Sequence, residues 1–140
     1  MPSIQLHEDH FLRILWDENK KIISIEWKEA TAAMTSEEFK AELTLFATHV
    51  EHIRAPAIVV DVSKFRHKMA TELQEWRVKK ISSRYNAAGV KRFAFVLPQD
   101  ALILPMMNQS APGELFLTRG FNDVQMAEDW LTKAGSGAGA

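Results

Sequence analysis

The 140-residue chain has a formal net charge of −1, 46% hydrophobic and 25% charged residues, the make-up of one globular domain, with no length to spare for a second. It has no cysteine, which excludes a disulfide framework, a thiolate nucleophile and thiolate metal sites. The opening MPSIQLHEDH lacks a basic region followed by a long apolar stretch, so neither a signal peptide nor a membrane span is expected, and the cytoplasm is the expected compartment.

The first periodic segments are His10 to Trp16 and Lys21 to Trp27, two β-type runs separated by the turn residues Asp-Glu-Asn-Lys. Ile23, Ile25 and Trp27 alternate onto one face of the second run. Thr35-Ser36-Glu37-Glu38 is a capping box, in which Thr35 caps the backbone and Glu38 returns the bond. Phe39, Leu43, Phe46, Val50 and Ile53 then recur at helical spacing, so helix one buries one face. Pro56 to Asp61 is a short continuous apolar run, the mark of a central strand covered on both sides.

Helix two is expected from about Met69 to Ala88, ended by Gly89. Its core stripe is drawn through Ala70, Gln74, Val78, Ile81, Tyr85 and Ala88. Val90 to Leu97 is a further strand, and Asp100 to Gln109 a weak helix interrupted by Pro105. Glu114 to Thr118 is the last strand; Asn122 caps the last helix, with Gln125 at the box position and a Phe121 to Met126 staple. Trp27 and Trp130 fall on inward phases and read as structural. The tail GSGAGA is low-complexity and flexible and carries no argument. The expected fold is α/β, a mixed sheet of order ββ-αβ-αβ-αβ-α with helices packed on it, as one domain over residues 1–134 with a tail at 135–140.

With that order in place, Ile58-Val-Val-Asp-Val-Ser63 leading into helix two resembles the centre of the STAS domain, the fold of sporulation anti-anti-sigma factors. The closing Phe121-Asn-Asp-Val-Gln-Met-Ala127-Glu-Asp-Trp-Leu131 is similar to the F-x-D-x-x-x-A-x-x-W-L ending of the STAS/SEC14-type subgroup of small bacterial proteins. The resemblance extends from about His10 to Lys133. It implies a bacterial regulatory or ligand-binding protein without catalysis. Regulatory members carry a D-S-S-G-like segment at the start of helix two, whose serine a partner kinase phosphorylates. Here Met69-Ala70-Thr71-Glu72 stands in its place: Ala70 replaces the serine, and Thr71 is the weak substitute.

No catalytic constellation emerges. A Ser63, His67 and Asp61 arrangement lacks a nucleophile elbow, and Asp61 with Ser63 reads as a bridge across the strand-to-helix turn. The pairs His7/His10 and His49/His52 share helical spacing without a third partner, so no metal and no cofactor are expected. From Lys64 to Arg92 nine basic residues face two acidic ones, Glu72 and Glu75, and Lys68, Arg77, Lys80 and Arg84 are taken as a basic surface. Nucleic acid is not expected, since no reading motif accompanies these charges.

Met69, Leu73 and Trp76 fall outside the core stripe of helix two, and Ala101 to Met107 adds Leu102, Met106 and Met107 as surplus apolar residues. These six are the candidate site. The first expectation is a STAS-like module that binds a protein partner or itself there. The alternative is a carrier or sensor of a lipid or other hydrophobic small molecule, at most peripheral to a membrane.

Overall fold

The computed structural model describes residues 3–103 and 108–136. Its strands are β1 (Ile4–Glu8), β2 (Leu12–Asp17), β3 (Ile22–Trp27), β4 (Ala57–Asp61), β5 (Arg92–Val96) and β6 (Leu117–Phe121); its helices are α1 (Ser36–Ile53), α2 (Thr71–Trp76), α3 (Ser83–Ala88) and α4 (Val124–Ser136). The strands form one six-stranded sheet in the order of the sequence. β1, β2 and β3 pair antiparallel, and β3 to β6 pair parallel. The fold is therefore α/β with a mixed sheet and helices packed on it.

The period of two along each strand divides the apolar residues between two layers. Ile23, Ile25, Trp27, Ile58, Val60 and Phe93 join Phe39, Leu43, Phe46 and Val50 of α1 and Leu73, Ile81 and Tyr85 of the second helical run in the larger core. Ile22, Ala57, Val59, Ala94 and Val96 point the other way, onto Ala127 and Leu131 of α4. Both sides of β4 are buried, as its continuous apolar sequence requires.

The capping box forms as expected: Thr35 Oγ1 accepts from Glu38 N at 3.1 Å, and Thr35 N donates to Glu38 Oε1 at 2.8 Å. Four features depart from the sequence expectation. β1 precedes the expected first strand; it is a short edge with a bulge between Gln5 and His7, which breaks the alternation that would have marked it. The last strand begins three residues later than expected. At α4 the cap is Asp123, whose Oδ1 accepts from Met126 N at 3.0 Å; Asn122 instead donates to the carbonyls of Pro98 and Ala101. Helix two is continuous from 71 to 88, but Arg77–Ser82 is a π segment. Its i→i+5 bonding widens the turn and slips the buried stripe. Leu73 joins Ile81, Tyr85 and Ala88 in the core, while Ala70 and Gln74 of the expected stripe are exposed. The expected helix over Asp100 to Gln109 falls partly on residues 104–107, outside the described residues; a turn occupies 99–100. Residues 137–140 of the expected tail also lie outside them.

Candidate functional site

The larger core does not close completely. A cavity of about 640 Å³ lies between the sheet and the helices, toward the carboxyl ends of β3, β4 and β5, the usual place for a ligand on an open α/β sheet. The floor is Ile25 and Trp27 of β3, Val60 of β4, and Phe93 and Phe95 of β5; α1 supplies Phe39 and Leu43. Val62, Phe65 and Met69 come from the segment between β4 and α2, and Ala111, Pro112 and Phe116 from the segment before β6.

Both segments are fixed from below. The fully buried Thr31 donates through Oγ1 to Lys28 O at 2.8 Å and accepts from Arg66 N at 2.7 Å, tying down the chain that carries Phe65. Asn86 of α3 donates to Gly113 O at 2.8 Å and accepts from Leu115 N at 2.9 Å. Buried Ser82 donates to Glu114 Oε2, and Glu114 Oε1 accepts from Ala111 N at 2.7 Å. Gly113 adopts φ +92°, a left-handed conformation that suits glycine at this turn. The walls are thus hydrogen-bonded structure, and the cavity is preformed.

Its surface is mainly aromatic. Trp27 stacks on Phe39 with centroids 5.8 Å apart, Phe65 meets Trp27 edge-on at 5.1 Å, and Phe93 contacts Phe95 and Phe116 at 4.9 and 5.7 Å. Burial pushes the Tyr85 phenol above its usual range, so this ring stays neutral at all ordinary pH. Polar groups on the wall are few: Gln74, Arg77, Gln109, Ser110, Glu114 and Thr118. Arg77 donates to Gln74 Oε1 at 3.1 Å and has no ion pair among the described residues. Thr118 Oγ1 is buried and has no hydrogen-bond partner among them. Such a group is costly to bury and gains most from a partner.

Of the six expected site residues, the structure brings Met69 to the cavity. Leu73, 4% exposed, is core. Trp76 packs partly buried beside the core with Lys40 Nζ 5.6 Å from its ring centroid, away from the lining. Leu102 is 74% exposed. Met106 and Met107 lie outside the described residues. The expected basic surface divides likewise: Arg84 is bound bidentately to Glu51 at 2.6 and 2.7 Å, Arg77 lines the cavity, and Lys68 and Lys80 are exposed. Ala70 holds the N-cap position of α2 without a side-chain cap, and Thr71 beside it is exposed. Asp61 Oδ1 accepts from Ser63 N and Ser63 Oγ at 2.9 and 2.6 Å, the turn bridge expected of that pair. His67 stacks on Phe39 at 5.8 Å. Trp27 is 5% exposed and lines the cavity, and Trp130 is partly buried against the smaller core under the Arg92 guanidinium.

The aromatic lining escaped sequence reasoning because its members come from alternate positions on separate strands and from the 109–116 segment. Its readable signals are the inward phases of Trp27 and Phe39 and the alternation of Phe93 with Phe95. The remaining large exposed apolar side chains include Leu115, Leu117, Val124 and Met126, around β6 and the start of α4, and none on helix two. No helix among the described residues is long and apolar enough to cross a membrane. Comparison of the chain with protein-family models, with curated proteins and with solved structures gives no match.

Proposed function

We propose that this protein is a non-catalytic binding module that holds an apolar small molecule with an acidic head, such as a fatty or aryl acid, in the cavity under α1 and α2. The observation that carries this reading is a preformed, aromatic-lined cavity of about 640 Å³ whose wall includes an arginine without an ion pair among the described residues. Its volume lies in the range of small-molecule sites, and an apolar wall with a few placed polar groups is their usual make-up. The aromatic surface takes up the apolar body, and the Arg77 guanidinium matches a carboxylate. The Thr118 hydroxyl, without a hydrogen-bond partner among the described residues, offers a second polar contact.

This reading takes the alternative expected from the sequence over a partner surface on helix two, because Leu73 is committed to the core and Trp76 to Lys40. A STAS-like ancestry remains part of the proposal. It rests on the motifs of β4 and α4 and on helices that alternate with parallel strands, and Ala70 at the head of α2 argues for a module without a serine switch.

The test is fluorescence titration of the delipidated protein with dodecanoate and with dodecanol. Trp27 alone of the four tryptophans lines the cavity, so dodecanoate should change the emission of the unaltered protein and not that of Trp27→Phe. Val60→Phe, which fills the floor, should abolish binding in a folded protein. Arg77→Gln should weaken dodecanoate about tenfold, the loss of one charged hydrogen bond, and leave dodecanol unaffected. Unchanged dodecanoate affinity in Val60→Phe would overturn the reading.

A further inference from the structure

A second polar cluster lies on another flank of α1. Phe39 and Leu43 face the cavity, whereas Glu42, about 100° round the helix from Leu43, meets the start of the chain. One ligand-capable atom from each of His7, Asp9 and Glu42 lies within 4.8 Å of the other two. His7 Nε2 is 2.8 Å from Asp9 Oδ2.

The three residues are held there by separate devices. The bulge in β1 shifts the register between Gln5 and His7, and bulges of this kind re-aim a side chain. Leu6 and His7 are consecutive, yet Leu6 packs on the core beneath α1 while His7 joins the cluster next to it. Asp9 Oδ1 accepts from the amides of Phe11 and Leu12 at 2.8 and 3.1 Å, which leaves Oδ2 to face His7. Glu42 is 8% exposed, and its Oε2 is buried with no hydrogen-bond donor reaching it among the described residues.

That last observation separates this cluster from an ordinary surface pair. His7 and Asp9 alone would make a local ion pair of little energetic weight. A second carboxyl group, buried and set against Asp9, cannot ionise there without like-charge repulsion, and its Oε2 is an unmet acceptor among the described residues; both are unfavourable. A dication placed among the three atoms converts the repulsion to attraction and gives the buried Glu42 carboxylate a partner. One imidazole nitrogen with two carboxylate oxygens is a donor set for Zn²⁺ and its first-row neighbours, and three protein ligands leave a fourth position for water. We propose that His7, Asp9 and Glu42 bind one divalent transition-metal ion of the zinc type, which fastens the edge strand β1 to α1.

The site is independent of the apolar cavity, so its test does not depend on the ligand reading. The tag-free full chain, treated with chelator and then dialysed, is titrated with Zn²⁺ by calorimetry and by thermal denaturation, and with Co²⁺ by visible absorption. One equivalent should bind, raise the melting temperature and give the intense d–d bands of a low-coordinate Co²⁺ site. Glu42→Gln, which preserves shape, and His7→Asn should each weaken Zn²⁺ at least tenfold and abolish the thermal shift. His10→Ala and His52→Ala, outside the cluster, should bind as the unaltered protein does. Absence of one-to-one binding, or equal affinity in Glu42→Gln, would overturn the proposal.

Discussion

On the α4 side of the sheet, Ala57, Val59, Ala94 and Val96 present small, regular side chains, Ala127 and Leu131 fill the space above them, and the ring pair of Phe121 with Trp130 sits at the β6 edge. On the α1 side, a run of rings, including Trp27, Phe39, Phe65, Phe93, Phe95 and Phe116, meets two helices and two connecting segments, and a cavity remains. Interiors reach their usual density when side chains interdigitate in good rotamers. Short aliphatic residues under one helix achieve this, whereas aromatic plates are rigid and meet at steep angles. The difference shows how one sheet supports two tasks: the α4 face secures the fold, and the α1 face tolerates an opening because its walls are fixed by hydrogen bonds from Thr31, Ser82 and Asn86.

The strongest way to break this comparison is on the closed face. Leu131→Ala, at a site 2% exposed, should cost about 2–5 kcal/mol in chemical denaturation, because the small neighbours cannot collapse into the space. A cost below about 1 kcal/mol would mean that this face is as loosely filled as the other. Adjacent residues of β4 give a matched contrast. Val59 and Val60, 4% and 6% exposed, point to opposite faces. Val59→Phe should overpack the α4 layer and cost about 1–3 kcal/mol, while Val60→Phe enters the cavity and should leave stability within about 1 kcal/mol of the original. Equal losses in the two variants would show that the cavity cannot accept a ring.

The same contrast explains what was legible in the sequence. The closed face was readable because its pattern is local: the continuous apolar run of β4, and Ala127 and Leu131 at helical spacing. The capping box of α1 was readable for the same reason. The open face was not, since Trp27, Phe65, Phe95 and Phe116 are brought together by four separate elements. On helix two, the π segment moved Leu73 from an expected free face into the core, a slip that periodicity cannot show. Spacing alone sets His7 beside His10, whereas the structure bonds it to Asp9, two residues on, and places Glu42 of α1, thirty-five residues on, within 4.8 Å.

A smaller effect is expected from pH in chelator-treated protein. Burial, followed by contact with Asp9 and the more distant charge of Glu38, pushes Glu42 up to about 8. Burial opposes the Asp9 carboxylate too, but hydrogen bonding with Glu42, His7 and the Phe11 and Leu12 amides outweighs it and holds Asp9 at about 2. His7, whose Nε2 touches Asp9, and Lys28, which donates to Asp9 O, also face the pair. The folded state therefore keeps a proton on Glu42 that the unfolded chain releases near 4.5, so stability should fall as pH rises from about 4.5 to about 8. Asp9 acts in the opposite sense, with its contribution present above about 4 and lost as pH falls through about 2. Because the two share their interaction, the net fall should be on the order of 2 kcal/mol. Denaturation at pH 5 and pH 8 measures it, and Glu42→Gln should remove the difference; a fall that persists in that variant would assign it to another group.

The smallest expected effect lies at the rim of the open face, where α3 meets α1. Arg84 donates through Nε and Nη2 to the two oxygens of Glu51, at 2.7 and 2.6 Å, and through Nη2 to Thr48 at 3.2 Å. The guanidinium holds Glu51 below the usual carboxylate range, and the carboxylate raises Arg84. Both side chains retain solvent contact, 29% and 39% exposed, so water and salt screen the pair. Bidentate geometry places it at the upper end of surface pairs, and a double-mutant cycle of Arg84→Gln and Glu51→Gln should give a coupling of about 0.5–1 kcal/mol that shrinks in high salt. Its position gives it a second consequence. Thr48 and Glu51 lie in the last turns of α1, and Arg84 is one residue from Tyr85, which lines the cavity; the pair therefore sets how closely the helix that carries Tyr85 lies against α1. Releasing it should alter dodecanoate affinity more than it alters the melting temperature. If stability and affinity instead move together and by the same free energy, the open face is no more adaptable than the closed one, and the contrast between the two layers loses its functional meaning.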